Sequence, residues 1–274
     1  MERDFSGIFG SGKAAIAVVH LAPLPGSPGF GGNPDHVRDR ALGEAEALAA
    51  DGFDGLIVEN YGDIPFHKAG VESETLEAMT WIVEDVKGAV DIPVGVNVLR
   101  NDYGAALAMA AACKCEFVRV NILVGAYVTP EGLIEGQPGR VLRMRMRYAP
   151  DVAIFADIRV KHAYPLAETT IDEDALDAVE RGKADWLIIT GPRTGSPPSA
   201  DDLRVVRHSL AEFGAETPIL VGSGISPANA AEFLGLSDGF IVGSFIREGG
   251  RAGEALDRER TVEIVRIKKK TLEA

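Results

Sequence analysis

The chain has 274 residues, 46% of them apolar and 25% charged, and carries a net charge of −13 at pH 7. That length fits one βα barrel, and the apolar share is enough for a sizeable core. The acidic balance argues against a general nucleic-acid binder, which needs clustered Lys and Arg, and no apolar run approaches the ~20 residues that span a bilayer.

Residues 1–11 lack the basic start and apolar stretch of a signal peptide, so a cytoplasmic protein without membrane insertion is expected. Cys113 and Cys115 are separated by one residue, too close for an easy disulfide, and no further Cys or His cluster completes a zinc site. They are expected as reduced, buried thiols.

Apolar runs alternate with helical stretches along the chain. Strands are predicted over 14–21, 55–60, 92–98, 117–123, 152–158, 186–190, 219–222 and 239–243. Helices are predicted over 35–50, 73–89, 103–112, 172–181, 200–213, 227–234 and 260–270. Asn33 with Pro34, Thr170 before Asp172 and Glu173, and Ser226 with Pro227 read as helix starts. The stretch 124–147, with Arg140, Arg143, Arg145 and Arg147, reads as a long loop after the fourth strand. Strict βα alternation means a parallel sheet, and eight units without a central reversal favour a closed eight-stranded (β/α)8 TIM barrel in one domain, 1–274.

Glycine turns follow the seventh and eighth strands, at Gly222-Ser223-Gly224 and at Gly243-Ser244. Each reads as a strand running into a turn and a helix start, the place where barrels commonly hold a phosphate. Gly10-Ser11-Gly12-Lys13 resembles half a P-loop but precedes the first strand, and no GxGxxG follows that strand, so a dinucleotide site has no support.

Polar residues terminate the apolar strands: His20, Glu59, Asn60, Asn97, Asn121, Asp157, Thr190 and Ser223. An unpartnered buried polar group costs about 1–3 kcal/mol, so a ring of them at one barrel rim points to a shared pocket. Asn and Asp also cap strands and open turns, which is the plainer reading of any one of them. Period-two alternation in Asp157-Ile158-Arg159-Val160-Lys161 sets Asp157, Arg159 and Lys161 on one face. That set serves proton transfer and charge stabilisation, or else a structural ion pair. Lys161 is suited to act as a general acid, to bind phosphate, or to form a Schiff base.

Arg119 inside a barrel needs a partner, with Glu59 and Asp157 as candidates. His20 is a candidate acid or base. Glu59, Asp63 and His67, four residues apart in turn, offer a divalent-cation alternative, although no metal or other cofactor is required by the sequence.

Five stretches, Val19-His20-Leu21-Ala22-Pro23-Leu24-Pro25-Gly26, Gly55-Leu56-Ile57-Val58-Glu59-Asn60, Gly95-Val96-Asn97-Val98-Leu99-Arg100-Asn101-Asp102, Ala156-Asp157-Ile158-Arg159-Val160-Lys161-His162-Ala163 and Val221-Gly222-Ser223-Gly224, together resemble the BtpA/SgcQ family. The resemblance spans nearly the whole chain. It implies a βα barrel similar to the ribulose-phosphate-binding barrels, in a family whose members are linked to photosystem I biogenesis or accompany carbohydrate-uptake genes.

The leading expectation is an enzyme acting on a phosphorylated sugar or nucleoside-derived molecule by isomerase- or lyase-type acid-base chemistry. Asp157, Lys161, His20 and Glu59 are its catalytic candidates. Asn60, Asn97, Arg119, Asn121 and Thr190 would bind substrate, and Gly222, Ser223, Gly224, Gly243 and Ser244 its phosphate. The alternative is a non-catalytic assembly or regulatory factor. A homo-oligomer is expected in either case.

Overall fold

A computed structural model describes residues 6–10, 12–68 and 70–273. Most of the first residues read for a signal peptide, and Ser11 of the half P-loop, lie outside the described residues. Eight parallel strands close into a barrel. They are β1 (Ala14–His20), β2 (Gly55–Glu59), β3 (Val94–Asn97), β4 (Phe117–Val120), β7 (Ala153–Ile158), β9 (Trp186–Ile189), β10 (Ile219–Val221) and β11 (Gly239–Val242). The first and last strands pair in register, Ala14 with Gly239 through Ala17 with Val242, which closes the cylinder. Among the described residues, eight helices lie between and after the strands: α1 (Pro34–Asp51), α2 (Ser73–Ala89), α3 (Tyr103–Cys113), α4 (Pro138–Tyr148), α5 (Ile171–Glu180), α6 (Ala200–Phe213), α7 (Ala230–Leu236) and α8 (Arg258–Glu273).

The stretch read as one loop, 124–147, is instead a hairpin, β5 (Ala126–Thr129) with β6 (Gly132–Glu135), followed by α4. A two-residue strand β8 (Tyr164–Pro165) pairs with β5 to complete a small three-stranded sheet beside the mouth. Two of the expected helix starts are built as read. Asn33 Oδ1 accepts from the His36 N–H, and Thr170 and Glu173 form a reciprocal capping box. The third is displaced: Ser226 opens a turn closed by Asn229, and α7 begins only at Ala230.

Two apolar layers result from the strand alternation. Outward residues meet the helices, while Ile16, Ile57, Phe117, Phe155, Trp186 and Ile188 fill the barrel interior. The Phe117, Phe155 and Trp186 rings stack 4.3 and 5.1 Å apart, and Phe9, from a short 3-10 segment (Ser6–Phe9), caps them edge-on from below. Gly95 is glycine because the Phe117 ring occupies the position of a side chain there: a Cβ would lie 2.1 Å from it. Both cysteines are buried free thiols, and burial pushes Cys113 up to about 11 and Cys115 to about 12. No described helix is long and apolar enough to cross a membrane.

Candidate active site

The alternation that places Ile16, Ile57, Phe117 and Phe155 inside the barrel carries on to polar residues at the C-terminal ends of the same strands. Val18 is followed on that face by His20, Ile57 by Glu59, Phe117 by Arg119 and Phe155 by Asp157. Register sets His20 beside Glu59 and Glu59 beside Asn97. The polar strand ends therefore form the top layer of the barrel core, and above them opens a cavity of about 670 Å³. Its wall includes His20, Glu59, Arg119, Asn121, Lys161, the 222–226 turn and the 243–245 turn.

Within that layer the groups divide into those that hold one another and those that face the cavity. Asp157 is wholly engaged. Its carboxylate accepts from Arg119 Nε and Nη2 and from Asn121 Nδ2, each at 2.8 Å, and its side chain is 0% exposed. The carboxylate expected to do acid-base work thus fixes the Arg119 guanidinium and the Asn121 amide. Desolvation of Arg119 is more than offset by the charge and hydrogen bonds of Asp157 together with the Glu59 charge, which hold the guanidinium above its usual value. Asn97 Nδ2 donates to Glu59 Oε2 at 2.5 Å, which leaves Glu59 Oε1 without a partner among the described residues. Asn121 Oδ1 and Asn97 Oδ1 are buried and unpartnered among the described residues.

Three further candidates lie away from the cavity wall or off the expected face. Asn60 follows Glu59 and so points to the opposite side of β2, where its amide bonds Asp63 and the Leu99 main chain, pinning one loop to the next. Thr190 donates its hydroxyl to the Arg159 carbonyl and does not border the cavity. The shared face of Asp157, Arg159 and Lys161 is lost because β7 ends at Ile158 and Arg159 adopts a left-handed backbone (φ 56°). Arg159 accordingly leaves the mouth and pairs with Asp174 of α5 at 2.9 Å, while Lys161 returns to the cavity wall.

The glycine turns border the cavity, but neither runs straight into a helix: α7 starts at Ala230 and α8 at Arg258. Gly224 needs its left-handed φ of +69°, and a Cβ there would lie 2.1 Å from Pro197 N. The Ser223 hydroxyl bonds Ser196 O and Gly191 N. The backbone N–H groups of Gly224, Ile225, Ser244 and Phe245 form no hydrogen bond among the described residues. The possible cation set is dispersed: Asp63 accepts from Leu24 N and Asn60 Nδ2, and His67 lies 4.0 Å from Glu72.

His20 lies against Tyr61, ring centroids 4.6 Å apart, and Gly253 N–H donates to its Nδ1 at 3.3 Å. The neutral ring therefore carries its proton on Nε2. Burial, followed by the nearby Arg247 and Lys161 charges, holds His20 well below its usual 6.5. Between that lowered value and 6.5 the unfolded chain takes up a proton that the folded chain does not, so stability is complete above 6.5 and declines as pH falls. Urea unfolding of the wild type from pH 7 to pH 5 will show this decline, and His20→Asn will flatten it; an unchanged slope counts against the buried neutral imidazole.

Loop residues supply groups that strand reading missed. Arg100 follows β3 and donates to the Lys161 carbonyl at 2.5 Å, and its Nε lies 3.8 Å from Glu131 of the β5–β6 turn. Tyr61 and His162 complete the mouth.

A closed (β/α)8 barrel with an ionisable pocket at the C-terminal face of its strands defines the class, the architecture in which barrel enzymes place their sites. The chain belongs to the BtpA family, whose profile matches residues 11–270. It is 43% identical over 254 residues to the photosystem I biogenesis protein BtpA of Synechocystis, covering 93% of this chain and 87% of that one. It is 45% identical over 257 residues to an uncharacterized protein of Archaeoglobus fulgidus, covering 94% and 99%. Among solved structures it resembles N-(5'-phosphoribosyl)anthranilate isomerase from Pyrococcus furiosus, at TM-score 0.57, 14% identity and 94% and 98% coverage. It also resembles a native KDPGal structure, at TM-score 0.56, 16% identity and 95% and 96% coverage. These structural likenesses are of fold.

Proposed function

We propose that the chain is an enzyme that binds a phosphorylated small molecule, a sugar phosphate or nucleoside-derived compound, in the barrel-mouth cavity and performs acid-base chemistry on it. The observation that carries this reading is the division of labour in the polar layer. One subset of groups holds itself rigid, and the other faces a space large enough for such a ligand. The free N–H groups of the two glycine turns suit a phosphate. Glu59 Oε1, His20 Nε2–H and the Lys161 amine lie on the cavity wall as acceptor, donor and base.

Inorganic phosphate and a panel of sugar phosphates test this by thermal shift. A ligand present at 100 times its dissociation constant stabilises the fold by about 2.7 kcal/mol. Ser244→Asp, which sets a carboxylate in the anion turn, is expected to abolish the shift. No shift with any member of the panel sinks the reading.

One observation favours a second reading, an assembly factor in keeping with the name of the Synechocystis relative. The small sheet exposes an apolar row: Leu133 faces Val128, Val128 faces Tyr164, and Leu166 continues it.

A further inference from the structure

We propose that Lys161 is a nucleophile that forms an imine with the carbonyl carbon of a phosphorylated ketone or aldehyde held in the barrel mouth. The inference rests on the reading of the mouth as a phosphorylated-ligand site and adds the chemical class of the substrate, a free carbonyl compound.

The distribution of charge in the mouth carries it. Asp157 is taken by Arg119 and Asn121, Glu131 faces Arg100, and Glu59 is held by Asn97. Lys161 is left with no hydrogen bond or ion pair from its side chain among the described residues. Its backbone lies between two left-handed residues, Arg159 (φ 56°) and His162 (φ 55°), and its carbonyl is clasped by Arg100. The turn is thus fixed while the amine is not. A lysine serving only to hold an anion gains from remaining a cation, and Arg100 and Arg119 already supply permanent positive charge beside it. Desolvation, followed by the Arg119 charge, brings Lys161 down to about 8, so an appreciable fraction is free amine near neutral pH.

The groups around it supply the proton traffic. The ammonium first gives up a proton, to Glu59 or to solvent, and the amine nitrogen attacks the carbonyl carbon. The carbonyl π-pair goes to oxygen, which accepts a hydrogen bond from His20 Nε2–H and takes a proton from Glu59 or from water. The resulting carbinolamine loses the proton that the addition left on nitrogen. A second proton, delivered by Glu59 or solvent, lets the hydroxyl depart as water and the nitrogen lone pair form the C=N bond. Net, a lysine ammonium and a carbonyl compound give a protonated imine and one water, with no external oxidant or reductant. The iminium then acts as an electron sink for proton abstraction or carbon–carbon cleavage at the neighbouring carbon.

Trapping tests this directly. The full chain is incubated near pH 7.5 with dihydroxyacetone phosphate, and in parallel with dihydroxyacetone, in the presence of sodium cyanoborohydride, and then analysed by intact and peptide mass spectrometry. The expected product is a single adduct, of probe mass less one oxygen, on the peptide containing Lys161. Its yield should exceed that at any surface lysine by roughly tenfold or more. Lys161→Arg should lose it while keeping the wild-type unfolding temperature within a few degrees, and Lys161→Met serves if the arginine variant does not fold. Labelling scattered over surface lysines, or none at Lys161 with either probe, overturns the proposal. If phosphate and dihydroxyacetone phosphate stabilise the protein but leave Lys161 unmodified, the imine fails and the phosphate site stands. If both probes label Lys161 equally and phosphate does not compete, the phosphate reading fails and the imine stands.

Discussion

Asp157→Leu is expected to destabilise the protein by about 3–5 kcal/mol, the usual cost of removing one partner from a buried ion pair. The Arg119 guanidinium would be left in the barrel interior without its two 2.8 Å acceptors, and Asn121 would lose the anchor of its amide. Urea unfolding measures the loss. The double variant Arg119→Met, Asp157→Leu should recover most of it, because no unpaired charge then remains, and the cycle isolates the pair's coupling. A single variant within about 1 kcal/mol of wild type would mean that water reaches the pair and weakens it. Asp157 holds Arg119 and Asn121 in place, while under the proposed function Glu59, His20 and Lys161 would meet the ligand.

Arg247→Met should be comparably damaging, at about 3–5 kcal/mol, for a related reason. Arg247 is 0% exposed and joins distant parts of the chain. It donates to Glu44 Oε2 on α1 at 2.7 Å, to Val18 O on β1 at 2.8 Å and to Glu254 O at 3.0 Å. Glu44 also holds Arg40, and Arg40 in turn grips the carbonyl of Gly253, whose N–H fixes the His20 tautomer. The methionine variant therefore has a second readout. The Arg247 charge helps to hold His20 low, so its removal should move the His20 pKa upward, toward 6.5, in a histidine NMR titration. Loss of stability with no movement of His20 would confine Arg247 to packing.

The barrel was legible because each of its eight strands is a short apolar run, and the polar residue ending many of these runs marks the mouth. Val18 to His20 and Phe155 to Asp157 show how the same alternation that fills the core carries a titratable group to the top. What stayed hidden has local causes. In α4 only Val141 is buried, and its four arginines make the segment polar on average. The β5–β6 hairpin is half exposed on both strands, so no run of buried residues announces it. Arg159 departs from the face that alternation gives it because a single left-handed residue ends the strand, and such a conformation in an arginine leaves no compositional trace. The glycine turns were placed correctly after the last two strands, but their residues are small for a different reason. Gly222 and Gly224 make room for Ile188, Thr190 and Pro197, and Gly243 for His20. Arg100 and Glu131 sit on loops, where sequence gives no register to follow.

Phe9, wedged beneath Phe117, Phe155 and Trp186, gives the mouth a consequence of its own. With aromatic rings filling the lower end, the cylinder is a blind vessel, not a conduit. Under the proposed function, ligand and product would share the opening bordered, among the described residues, by the 222–226 and 243–245 turns and the Glu131 hairpin. His20 and Glu59 end strands at the floor of that opening, whereas Lys161, Glu131 and the two glycine turns stand on the loops around it.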